Sequence, residues 1–206
     1  MTDEGIKTLL SELADGDTAL EALLSQALTR ALGKQDTVPD RDKLRHIRDW
    51  LKAAQASGDR WLNRKDARGV PVKLTQIGSI DRAYAMADKD MKRKNSTLRS
   101  QFAGAAAHFE ADEAAGHIKT VHIFEDGSRM VQLLTPHALD FESAQLGHCI
   151  GHGSYDDDLG KDGHAHYSYR DPLNRAHATL EVKSGVLEQC KGKENAPPLE
   201  RYFKPI

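Results

Sequence analysis

Residues 117–135 read HIKTVHIFEDGSRMVQLLT, and the way this stretch folds decides the architecture of the chain. Apolar and polar side chains alternate on both sides of Asp126 and Gly127. A period of two belongs to a half-buried strand, and an acidic residue followed by Gly between two such runs is the strongest short-range hairpin signal, because Gly takes up the positive φ of a tight turn. Strands are therefore expected over residues 119–124 and 129–133. TPHALDFESAQLGHCIG (135–151) follows. It reads as a helix with Thr135 as N-cap and Pro136 in the first position, ending over 147–151.

Working outward, a Gly- and Asp-rich loop (151–163) leads to three further strand candidates, AHYSYRD (165–171), HATLEVKSG (177–185) and VLEQCKG (186–192), with turns at 171–175 and 184–185. The tail ENAPPLERYFKPI (194–206) is expected to run irregularly over the surface. Upstream the period is helical. Leu9, Leu10, Leu13, Leu20, Leu23, Leu24, Ala27 and Leu28 make apolar faces over 6–32, broken at Asp15, Gly16 and Asp17, so two short amphipathic helices are expected. TVPD (37–40) supplies a stop and a cap before RDKLRHIRDWLKAAQASG (41–58), where Leu44, Ile47, Trp50 and Leu51 form one stripe and Arg41, Lys43, Arg45 and Arg48 lie largely off it. Residues 57–79 mix Gly, Pro and charge and read as an irregular connector. Residues 80–115, alanine-rich and charged, suit one or two helices. The fold class is thus α+β: a helical N-terminal part (1–115), then a small, mainly antiparallel sheet with one inserted helix (116–206).

A chain of 206 residues with 39% hydrophobic content can bury one or two cores. It contains no apolar run of membrane-spanning length and does not open on a secretory signal. A cytoplasmic location without membrane association is expected, with Cys149 and Cys190 as thiols. The net charge of −2 hides an asymmetry: residues 41–100 hold 16 Lys/Arg against 7 Asp/Glu. Such a stretch can contact phosphates through counterion release, with Arg41, Arg45, Arg48, Lys92, Arg93, Lys94 and, further on, Lys193 as the candidate cations. A solvated helix face is the simpler alternative.

The hairpin, LTPHALDFESAQLGHCIG, HYSYRD, ATLEVKSG and EQCKGKENAPP, taken in order over residues 121–198, resemble the PcfJ-like domain of conjugative plasmids and bacteriophages. The positions matching that family's pattern are His148 and Cys149, Ser168 and Arg170, Thr179 and Glu181, and Gln189, Lys191, Gly192 and Asn195. The resemblance implies a setting in mobile-element biology and names no reaction.

Four chemistries compete for these residues. His148, Cys149, His152, His164, His166 and Cys190 offer nitrogen and sulfur for zinc, but their spacing matches no standard finger or ribbon; no metal and no cofactor are assigned. Cys149 beside His148 can be a nucleophile with its base, although it sits at a helix finish and not at an activating helix start. Asp171 followed by Glu181-Val182-Lys183 resembles the carboxylate pattern with which PD-(D/E)xK nucleases hold Mg²⁺. The fourth reading is a polar pocket in which Arg170 and Glu181 pair across neighbouring strands with Gln189 and Lys191 beside them, His148 and Cys149 form the wall, and Gly192 lets backbone approach an anion. The expected function is a nucleic-acid-binding or accessory protein with a phosphate-friendly pocket. The alternatives are a metal-dependent nuclease or nucleotide-processing enzyme using Arg170, Glu181, Gln189 and Lys191, and an inhibitor that binds a host protein.

Overall fold

The computed structural model describes residues 1–35, 37, 39–103 and 109–202. Val38 of the expected stop, residues 104–108 of the alanine-rich run and the last four residues of the tail lie outside them. The chain forms two compact units, Met1–Met91 and Lys92–Ile206; the division falls inside a helix, ahead of the change of period near Gly116. The architecture is α+β, with helices through the N-terminal part and then an antiparallel sheet with one helix between its second and third strands.

The first unit is helical. α1 (Asp3–Ala14) and α2 (Thr18–Leu32) begin where Thr2 and Asp17 side chains accept from Gly5 and Leu20 N–H groups, satisfying donors that have no partner within the first turn. α1 stops at Asp15, which takes the left-handed conformation with φ +48°. α3 (Arg41–Ala56) starts at Asp40 and buries Leu44, Ile47, Trp50 and Leu51, the stripe read from the sequence. Residues 57–79 are not a bare connector. They hold a short 3-10 turn (Arg60–Asn63) and the one-turn helix α4 (Val72–Thr75), with Leu74 and Ile77 buried and Trp61 stacked on Trp50 at 5.3 Å. Asp90, in the N-terminal part of α5 (Ile80–Gln101), accepts from Trp50 Nε1 at 3.0 Å and pairs with Lys73.

The second unit carries α6 (Phe109–Ala114) and a sheet of β1 (Ile118–Ile123), β2 (Arg129–Leu133), β3 (His164–Arg170), β4 (Ala176–Lys183) and β5 (Val186–Lys191), in sequence order and antiparallel throughout. The β1–β2 turn uses Gly127 at φ +80°, and the Asp126 carboxylate accepts from the Ser128 N–H at 2.9 Å. α7 (Pro136–Leu146), capped by Thr135, fills one face of the sheet with Ala138 and Leu139 against Ile118, Val131 and Leu133. Tyr169, Ala178 and Leu180 pack on the other face with Cys190 and Tyr202. α7 is buried on nearly every side, Glu142 and Ser143 included. The tail forms two 3-10 turns (Lys193–Asn195 and Glu200–Tyr202).

Candidate functional site

The end of α7 builds the first polar cluster. Gly147 takes φ +75°, a left-handed C-terminal cap that a side chain would strain; a Cβ there would also lie 2.5 Å from the Arg99 guanidinium. The Ser143 hydroxyl then fixes the following loop: it donates to the His148 carbonyl at 2.9 Å and accepts from the Gly151 N–H at 2.7 Å. Asn95 Nδ2 donates to the same carbonyl at 3.3 Å. A side chain at Gly151 would meet Asp140 and Ser143 at 2.6 and 2.9 Å. The loop is therefore held tight, and it lays the His148 ring on the sheet.

There His148 Nε2 lies 2.7 Å from Thr179 Oγ1, and Thr179 donates its one hydroxyl proton to Glu142 Oε1 at 2.6 Å. His148 Nε2 must then be the donor to Thr179, which leaves Nδ1 deprotonated; Nδ1 is buried with no hydrogen-bond partner among the described residues. Burial pulls the imidazole pKa down to about 4, so His148 is neutral at pH 7. Arg170 closes the network, donating to Glu142 Oε2 at 3.2 Å, Ser168 Oγ at 3.1 Å and Asn174 Oδ1 at 3.0 Å. Burial pushes the Glu142 carboxyl upward against the opposing pull of the Arg170 guanidinium and of the Thr179 and Ser168 hydroxyls. The exposures decide what this cluster is: 1% for Arg170, 0% for Glu142, 3% for His148 and 6% for Thr179. It is a closed internal network, hydrogen-bonded throughout except at His148 Nδ1, and not an open pocket.

The expected Arg170–Glu181 pair does not form. Arg170 stands opposite Ala176 in the sheet and Glu181 opposite His166, so the two lie toward different ends of the β3–β4 pair and Arg170 takes Glu142 instead. Asp171 is equally remote from Glu181 and Lys183. It is committed to its own turn, where partial burial works to raise its carboxyl but the Arg175 and Leu173 N–H groups, the Arg175 guanidinium and His177 hold it at about 2. The Asp171/Glu181/Lys183 arrangement is thus not assembled. Cys149 is 4% exposed and receives a weak bond from Asn195 Nδ2 at 3.8 Å. Gly192 approaches backbone, but that of the tail: a Cβ would lie 3.0 Å from Pro198 Cα.

A second cluster, mostly buried but edged by a cavity, holds the rest. Glu181 Oε1 lies 3.1 Å from His164 Nε2, and Gln189 Nε2 donates to Glu181 Oε2 at 2.7 Å. Lys191, opposite Thr179, stands further along β5. Ligand atoms of Asp158, His164 and His166 lie within 4.8 Å of one another, and the same three residues line a cavity of about 340 Å³. The sequence offered His164-x-His166 on one strand face; it did not reveal Asp158, from the 3-10 turn Asp156–Asp158, or Glu142. Of the six residues weighed for zinc, His148 and Cys149 belong to the closed network and its tail cover, and Cys190 to the opposite face of the sheet.

The candidate cations fall in both units. Arg41, Lys92, Arg93 and Lys193 are exposed, and Arg45 and Lys94 are half-buried. Arg48 is engaged with Asp49 at 2.7 Å. Four more exposed cations, Arg60, Arg64, Lys65 and Arg68, surround the bridge between Lys65 and Pro71. Among the described residues, no helix is long and apolar enough to cross a membrane. No family model, curated protein or solved structure matches the chain.

Proposed function

We propose that this chain is a nucleic-acid-binding accessory protein that grips phosphates through its first unit. The observation that carries the reading is the segment 60–68, where Arg60, Arg64 and Lys65 face solvent on an irregular excursion and Arg68, exposed as well, pairs with Asp66 at 2.9 Å. The excursion is braced from within, because Asp66 accepts from the Arg68 and Val70 N–H groups at 2.9 and 3.0 Å and Trp61 stacks on buried Trp50. Cations on a fixed backbone lose less freedom on binding than cations on a floppy one, and each phosphate contacted releases counterions. The resemblance of residues 121–198 to the PcfJ-like domain supports a conjugative plasmid or bacteriophage as the setting. A polarisation titration with labelled single- and double-stranded DNA and RNA tests the reading. Binding should appear at low salt and weaken linearly in log Kd against log salt; failure to bind any of the three at low salt would overturn it.

A further inference from the structure

The second unit holds a cluster that the nucleic-acid reading does not use. We propose that Asp158, His164 and His166 bind one divalent transition-metal ion of the zinc class, with the fourth coordination position opening into the adjoining cavity.

The donor set is the first support: two imidazoles and one carboxylate are the nitrogen and oxygen ligands that zinc-class ions take when a position is left for water or another oxygen ligand. Distance is the second. His164 Nδ1 and Asp158 Oδ1 are 3.7 Å apart, too long for a hydrogen bond. Two ligands about 2.1 Å from one tetrahedral ion stand about 3.4 Å apart, so small side-chain rotations bring this pair, and His166 with it, onto a common centre. The third support is orientation. The other nitrogen of His164 is held by Glu181, and Glu181 by Gln189, a carboxylate–histidine relay that fixes the ring and raises its basicity as a ligand. The fourth is access. The cavity of about 340 Å³ is lined by Asp158, His164 and His166 together with Gln132, Gly160 and Gly163, which leaves room for a water or an anionic oxygen.

Lys161 is the competing cation. Its ammonium lies 2.9 Å from Asp158 Oδ1, on a side chain 56% exposed. Such a half-solvated pair is weak, and the lysine can swing into water when an ion takes the oxygen.

The test uses the full chain, stripped with a chelator and titrated with Co²⁺ as a visible probe, without nucleic acid; its failure therefore leaves the phosphate-binding reading standing. One equivalent should bind, give ligand-field absorption without a thiolate charge-transfer band, and be displaced by Zn²⁺. Asp158→Asn and His166→Gln should abolish saturable binding, Glu181→Gln should weaken it about 10- to 100-fold, and Lys161→Ala should tighten it. His137→Gln, at the separate His117–His137 stack, should leave it unchanged. Far-UV circular dichroism confirms that each variant is folded, and the wild-type titration stands without them. No saturable binding by the wild type, a thiolate band, or undiminished affinity in folded Asp158→Asn would overturn the proposal.

Discussion

Arg170 and Glu142 meet at 3.2 Å with side-chain exposures of 1% and 0%, so a strand guanidinium is neutralised by a carboxylate from the middle of the helix that covers the sheet. Removing either partner alone leaves a buried charge or acceptor without its complement. Arg170→Ala and Glu142→Ala should each cost about 3–5 kcal/mol. The double variant Glu142→Leu/Arg170→Met should cost less than either, because apolar groups of similar volume replace the pair. Glu181→Ala, which breaks a less deeply buried pair with side-chain exposures of 15% and 8%, should cost less, about 1–3 kcal/mol. Urea denaturation of the four variants checks the ranking, and a Glu181→Ala loss as large as that of Arg170→Ala would sink it.

His148 should make stability depend on pH. Its folded pKa, about 4, lies below the ordinary 6.5, so the unfolded chain binds the extra proton and stability is lost as pH falls below 6.5. The slope is about 1.4 kcal/mol per pH unit, or about 2 kcal/mol by pH 5. Glu142 works in the opposite sense. Its raised carboxyl pKa makes the native state the better proton binder above pH 4.5, so it gains stability as pH falls and offsets part of the loss. His148→Gln should flatten the fall between pH 7 and pH 5, measured as the urea midpoint. An unchanged fall would show that His148 is not its source.

For the phosphate contacts, replacing Arg60, Arg64, Lys65 and Arg68 by Ala should lower the salt slope by about one per cation that touches a phosphate. Lys7→Ala, on the exposed side of α1, is the control and should leave the slope as it was. A fourfold variant with an unaltered slope would move the contact elsewhere in the chain.

Thiol reactivity separates a packed cysteine from a nucleophile. Cys149 lies under Asn195, and Cys190, half-buried, has its thiol pushed up by burial against the pull of Lys191. Cys190 is therefore not an activated thiolate. A disulfide reagent should modify Cys190 first and Cys149 much later, and Asn195→Ala should accelerate only the slow phase. A fast Cys149 would reinstate the nucleophile reading.

The features legible in the sequence are the local ones. The alternation around Asp126 and Gly127, the Thr135–Pro136 helix start and the Gly147 stop each act within a few residues, and the structure has all three. Pairing across strands was not legible in the same way. Strand order alone pairs Arg170 with Glu181, but register depends on how many residues the 171–175 turn consumes, and it sets Glu181 against His166. Glu142 left one usable trace: apolar residues surround it on nearly every side of α7, so a carboxylate there must be buried and must find a cation. Asp158 left none, because one acid among Asp156, Asp157 and Asp158 is singled out only by where the loop folds.

Trp50 and Trp61 are the two tryptophans of the chain, and both lie in the first unit, stacked face to face. The second unit emits only through tyrosine. Intrinsic fluorescence excited at the red edge of the spectrum therefore reports on the helical unit alone, without any label. Circular dichroism followed on the same sample sees both units. If the two signals melt at different temperatures, the units unfold separately; if they coincide, α5, which belongs to both, couples them into one cooperative transition.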